Sequence, residues 1–137
     1  DALVTKYGNE WIKTSTQEYI NKANALSRAL LHLGVEKNDK IAIISSNNRT
    51  EWAVALFATV GLGARFVPMY QSEIMRTWEF ILTDSEVRIL FVANKSIYQK
   101  VKHLIFWIGC KSFTISLKIN KLICDFKLIF LIKVCIT

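Results

Sequence analysis

Proline occurs once in this 137-residue chain, at Pro68, and glycine only five times, at Gly8, Gly34, Gly61, Gly63 and Gly109. No two of these glycines form a phosphate-binding loop, which needs backbone N–H groups left open by glycine. Cysteine is almost as scarce. Cys110, Cys124 and Cys135 all fall near the end, odd in number and without a C-x-x-C spacing. Neither a zinc site nor a disulfide framework follows from them. Residues 1–11 lack an apolar run behind a basic start, so no signal peptide is visible there. The first residue is Asp1 rather than Met, and a fragment is expected.

Charge is lacking on one side only. The net +7 is not spread through the chain, since residues 1–94 carry ten basic and ten acidic side chains. Residues 95–137 carry eight lysines, no arginine and a single acid, Asp125, which accounts for the whole excess. Nucleic-acid surfaces usually mix arginine with lysine and cluster them on one face, so no nucleic-acid partner is expected.

What is present begins with three short apolar runs, IAIIS at 41–45, ARFVPM at 64–69 and VRILFVA at 87–93. None alternates polar with apolar, as a half-exposed strand would. Helix-length segments separate them, and strand–helix–strand–helix–strand reads as a parallel sheet with crossovers. Strands are expected at about 41–45, 65–69 and 88–92. Pro68 falls near the end of the second, where it need not donate a central ladder bond.

The first helix has a clear start and stop. Ser15 and Glu18 stand three apart as a capping box. Tyr19, Ala23, Leu26, Leu30 and Leu33 then share one face, and Gly34 is placed to end the helix. The second, from Thr50 or Glu51 to about Leu62, has almost no polar face after Glu51. It must be covered nearly all round, and Ala55, Ala58 and Gly61 would let it approach a sheet closely. The third runs from Ser72 or Glu73 to Thr83, with Ile74, Met75, Trp78, Ile81 and Leu82 on one side. A short fourth helix is expected over Ser96–Leu104, with Ile97, Val101 and Leu104 in phase.

From Phe106 the composition changes. The segment to Thr137 has no Ala, Glu, Pro, Met or Arg and is dominated by Ile, Leu, Phe and Lys. A transmembrane helix needs about twenty apolar residues, but Lys118, Lys121, Asp125, Lys127 and Lys133 interrupt this one. Each central lysine would cost about 2.5–3.5 kcal/mol to insert. That transmembrane helix is the competing reading for the segment, and a helix lying on a membrane surface a further one, although Lys121, Lys127 and Lys133 keep no steady phase. Residues 106–137 are expected to be a divergent or translated non-coding tail, following a domain at 1–105.

Candidate chemistry is thin. Ser45, Ser46, Asn47, Asn48 and Arg49 leave the first strand at its carboxyl end, where open parallel sheets bind ligands. The loop has no glycine, however, and Glu51 puts a negative charge where an anion would sit. Capping is the expected role, with Thr50 accepting a backbone N–H and Glu51 complementing the helix dipole. Trp52, Tyr70 and Trp78 could stack on a purine, but aromatics at such positions are more often packing. His32 ends a helix, and His103 has no carboxylate at ligand spacing. Asp84 and Glu86 flank a strand entry and should be solvated. Ser45 and Ser46 lack the Gly-x-Ser-x-Gly context of a nucleophile elbow.

Across WIKTSTQEYINKANALSRALLHLGVEKNDKIAIISSNNRTEWAVALFATVGLGARFVPMYQSE and then TWEFILTDSEVRILFVAN, the sequence resembles the opening section of AMP-forming acyl-CoA synthetases, above all the long-chain fatty acid members. The resemblance fades near Leu104 or Ile105. It implies the first part of a large N-terminal domain, with a partial Rossmann-like three-layer α/β fold and helices on both faces of a parallel sheet. It also implies a complete enzyme that joins a fatty acid to AMP from ATP with magnesium, then passes the acyl group to coenzyme A. The family's Ser/Thr/Gly-rich loop, its Tyr-Gly-x-Thr-Glu stretch, its ribose-binding Asp and its lid lysine are all missing here. No catalytic, cofactor-binding or metal-binding residue is therefore carried over, and no cofactor is expected to bind this chain alone. The expected partners are the rest of the synthetase domain and, for the full enzyme, fatty acid and coenzyme A. The expected setting is intracellular, cytoplasmic or peripheral to an internal membrane. The rival readings are another adenylate-forming ligase, for a short-chain or aryl acid, and a non-enzymatic Rossmann-like module with a basic membrane-binding tail.

Overall fold

The computed structural model describes residues 1–45, 49–108 and 111–114. The chain opens with β1 (Leu3–Tyr7), β2 (Glu10–Thr14) and α1 (Thr16–His32). It continues through β3 (Lys40–Ser45), α2 (Thr50–Gly61), β4 (Arg65–Tyr70) and α3 (Met75–Asp84). It then forms β5 (Ile89–Val92), α4 (Lys95–Ile108) and β6 (Lys111–Thr114). β1 and β2 form an antiparallel hairpin around Gly8 and Asn9. The other strands form a separate all-parallel sheet in the order β4-β3-β5-β6.

The three apolar runs are the three strands they were expected to be. β3 is central, with Ile43 opposite Pro68 on one side and Phe91 on the other. Alternation along the strands divides the core into two layers. Ala42, Ile44, Leu90 and Val92 pack with Trp78 and Leu82 of α3 and with Ile97, Val101 and Leu104 of α4. Ile41, Ile43, Ile89 and Phe91 pack on the opposite face with Leu30 of α1 and with Ala55 and Ala58 of α2. Burying each Ile or Leu contributes about 1.5–3 kcal/mol. The ion pairs, Asp1–Lys13, Lys40–Glu86 and Asp39–Arg88, are at least partly exposed, and such pairs contribute about 0–1 kcal/mol each. The two apolar layers hold the sheet.

Helix ends show why the segments stop where they do. The Ser15 side chain accepts from the Glu18 backbone N–H, and the Glu18 carboxylate accepts from the Ser15 N–H at 2.8 Å. The backbone N–H of Ser15 holds the Glu18 carboxyl below its ordinary pKa, with the Ser15 side chain adding to the effect. At the other end, Gly34 has φ 82°, a left-handed turn that costs glycine little. Its N–H reaches the Leu31 carbonyl, and the Val35 N–H reaches that of Leu30, the paired bonds of a Schellman motif. Gly63 and Ala64 close α2 in the same way, and Glu86 and Val87 close α3.

Several boundaries differ from the sequence reading. α3 starts at Met75 rather than at Ser72 or Glu73, because residues 71–73 make a turn in which the Glu73 N–H bonds the Tyr70 carbonyl. Gly61 is exposed with open space where a side chain would sit, so Ala55 and Ala58 alone give α2 its close approach. α2 is not covered all round: Phe57 and Val60 are 60% and 57% exposed. α4 runs from Lys95 through Ile108, so the compositional break at Phe106 falls inside a helix. β6 follows that break and pairs with β5. Residues 115–137, most of the expected tail, lie outside the described residues.

Candidate functional site

The carboxyl end of the parallel sheet is formed by Ser45 of β3, Tyr70 of β4 and Val92 of β5, with the segments that leave them. Backbone bonds hold these segments together: Gln71 N–H to the Ser45 carbonyl, and Ala93 N–H to that of Ile44. Ser46, Asn47 and Asn48 lie outside the described residues. Arg49, Thr50 and Glu51 make the first turn of α2 there.

This turn is capped from a distance. Arg49 is the N-cap residue, and its side chain makes no capping hydrogen bond. Thr50 does not cap the helix either, contrary to the role its position suggested. Its backbone N–H instead donates to the Thr5 hydroxyl oxygen of β1 at 3.1 Å, and the two threonine hydroxyls pair at 2.8 Å. Two residues along β1, the Tyr7 hydroxyl donates to Glu51 Oε1 at 2.6 Å. The Arg49 guanidinium carbon lies 4.6 Å from the centre of the Tyr7 ring, within cation–π range. Burial pushes the Tyr7 phenol well above its ordinary pKa, and the Glu51 carboxylate beside it adds to the shift. Tyr7 therefore remains a neutral donor. Its neutral form stabilises the fold below the ordinary tyrosine pKa of about 10, and that contribution fades as pH rises through the raised value.

The second helix end here is α4. Asn94 Oδ1 accepts from the Ile97 N–H at 2.9 Å, an N-cap the sequence reading had not singled out although Asn is a favoured residue there. The N-termini of α2 and α4 thus each have a backbone N–H held by a protein side chain, and α2 adds an acidic residue in its first turn, whereas α3, which follows β4 at the same end, has Ile74 as its N-cap residue and no side-chain cap. The held N–H groups of α2 and α4 are not free for a nucleotide phosphate, which would need them open.

The aromatic candidates divide. Trp78 is 2% exposed, and its indole N–H donates to the Tyr70 carbonyl at 2.9 Å. Trp52 meets Phe66 edge-on at 5.4 Å between ring centres. Both are packing residues. Tyr70 alone is exposed at the carboxyl end of the sheet. His32 and His103 are exposed on different helices. Among the described residues no three His, Cys, Asp or Glu side chains are grouped to hold a metal. Glu86 is solvated as expected, with Lys40 at 3.2 Å, and Asp84 is exposed at the end of α3.

Comparison with known proteins places this architecture. The sequence model of the AMP-binding enzyme family matches residues 1–116. The chain belongs to the AMP-binding enzyme family. Among curated members, the long-chain-fatty-acid–CoA ligase FadD15 of Mycobacterium bovis is 34% identical over 86 residues. The human long-chain-fatty-acid–CoA ligase ACSBG2 is 25% identical over 100 residues. These alignments cover 63% and 73% of this chain, but only 14% and 15% of those ligases. Among solved structures, the anthranilate CoA ligase AuaEII in complex with anthranoyl-AMP superposes with a TM-score of 0.72 at 22% identity. That match covers 85% of this chain and 23% of the other. ATP-bound MatB from Rhodopseudomonas palustris gives 0.68 at 21%, over 75% and 20%. At such identities the structural likeness shows the fold: a parallel α/β sheet shared with adenylate-forming ligases. No helix among the described residues is long and apolar enough to cross a membrane.

Proposed function

We propose that this chain is the N-terminal section of a long-chain fatty acid–CoA ligase, and that it contributes scaffold rather than catalytic groups. The complete enzyme would use ATP and magnesium to convert a fatty acid to its acyl adenylate, then transfer the acyl group to coenzyme A. The observation that carries the reading is the family match over residues 1–116, combined with relatives whose aligned share is about one seventh of their length. Scaffold is the role the site supports. At the N-termini of α2 and α4 a backbone N–H is already held by Thr5 and Asn94, and adenylation depends on donors positioned for developing phosphoryl charge. The nucleotide, the acid and coenzyme A would engage other parts of the domain, which are also this chain's natural partners. The setting we propose is intracellular.

Calorimetric titration of the purified chain with ATP and magnesium checks this. No magnesium-dependent binding is expected at millimolar nucleotide. Saturable binding in that range would contradict the scaffold reading. A ligase for an aryl acid is the second reading, favoured by the fold match to the anthranilate ligase. The acid-binding pocket that would distinguish the two belongs, on this reading, to other parts of the domain.

A further inference from the structure

We propose that the β1–β2 hairpin and the first turn of α2 form one cooperative unit, a clasp that holds Arg49 at the carboxyl end of the sheet and opens separately from the sheet. The hairpin has little to order it by itself. Of its ten strand residues only Thr5 and Thr14 are buried, and an isolated two-stranded ribbon is marginal in water. Its internal side-chain contacts, Asp1–Lys13 and Lys6 over the Trp11 ring, are of the weak exposed kind. The first turn of α2 has the complementary deficit. Its N-cap residue Arg49 supplies no side-chain acceptor, and orphan N–H groups at a helix start need one. Each part meets the other's need through residues more than forty positions apart. Thr5 accepts the Thr50 N–H, Tyr7 donates to Glu51, and the Tyr7 ring lies against the Arg49 guanidinium. The linkage is reciprocal: whatever loosens the hairpin loosens the turn by the same free energy. The sheet does not depend on the hairpin, because its two apolar layers contain no hairpin residue, and the first turn of α2 reaches it only through Trp52 against the layer that includes Phe66.

Hydrogen exchange on the full chain, read by mass spectrometry over residues 1–14, 49–60 and 87–93, tests the clasp. Thr5→Val keeps the shape and removes the acceptor. Protection should fall about five-fold, the worth of one ordinary hydrogen bond, in both the hairpin and the start of α2. The β5 segment should be unchanged. Thr50→Val, made on the other side, should lower hairpin protection by a similar factor. Thr5→Ser keeps the hydroxyl and should behave like the natural sequence. A hairpin that loosens alone, a loss spread equally over β5, or no change in any segment would overturn the proposal.

Discussion

Glu86 ends α3 with φ 49°, a left-handed conformation that costs a residue with a Cβ about 1–2 kcal/mol. The same position after α1 and α2 is glycine. Its carboxylate pairs with Lys40, but its side chain is 82% exposed, so that pair adds little. Replacing it with glycine trades the conformational strain against a smaller loss of chain entropy. Glu86→Gly should therefore raise unfolding free energy by about 0.5–1 kcal/mol, read from the midpoint of urea denaturation. Glu86→Ala, which keeps the strain, should not. Equal midpoints for the two variants would show that the left-handed turn costs nothing here. The sequence marked Glu86 only as a solvated residue near a strand entry. Its backbone role was hidden because a Schellman ending without glycine leaves no compositional trace.

At the scale of elements, what could be read depended on where each element hides its apolar side chains. β3 and β5 stood out because both faces are buried, β4 as a short apolar run although it is only partly buried, and α1 because Ser15, Glu18 and Gly34 mark its ends with local chemistry. The hairpin did not stand out. Its inward residues include Thr5 and Tyr7, which dock through hydrogen bonds, so no apolar alternation announces the strand. The cap of α2 was misassigned to Thr50 for a related reason: its true acceptor lies forty-five residues away, beyond any local spacing rule. The strand order β4-β3-β5-β6 was also beyond the pattern, which shows that strands are parallel but not which neighbours they take.

The unbroken apolar character of α2 remains informative. Phe57 and Val60 face outward on the side of the helical layer away from the sheet, with Phe57 touching only the edge of Tyr19 among aromatic rings of the described residues. They add to the exposed apolar area without contributing to either core layer, and such area promotes association. Phe57→Ser combined with Val60→Ser should reduce self-association, measured by sedimentation velocity, with helix content by circular dichroism preserved. Unfolding of the double variant would instead place these side chains in the structural core.

For the whole molecule, the family was legible from the co-linear series of segments between Trp11 and Asn94. The architecture agrees, with a parallel sheet of four strands among the described residues and helices on both faces. Composition suggested a boundary at Ile105, whereas α4 runs through it and β6 extends the sheet beyond. A change in residue usage need not coincide with a change in structure, because a helix and an edge strand can be built from Ile, Lys and Phe as well as from a more even mixture. We propose that this chain carries part of the fold of an adenylating ligase without its chemistry. The direct measurement is ATP–pyrophosphate exchange by the purified chain, with palmitate as the acid and magnesium present. Exchange at the level of a vector-only control is the predicted result, and acid-dependent exchange above that level would contradict the account.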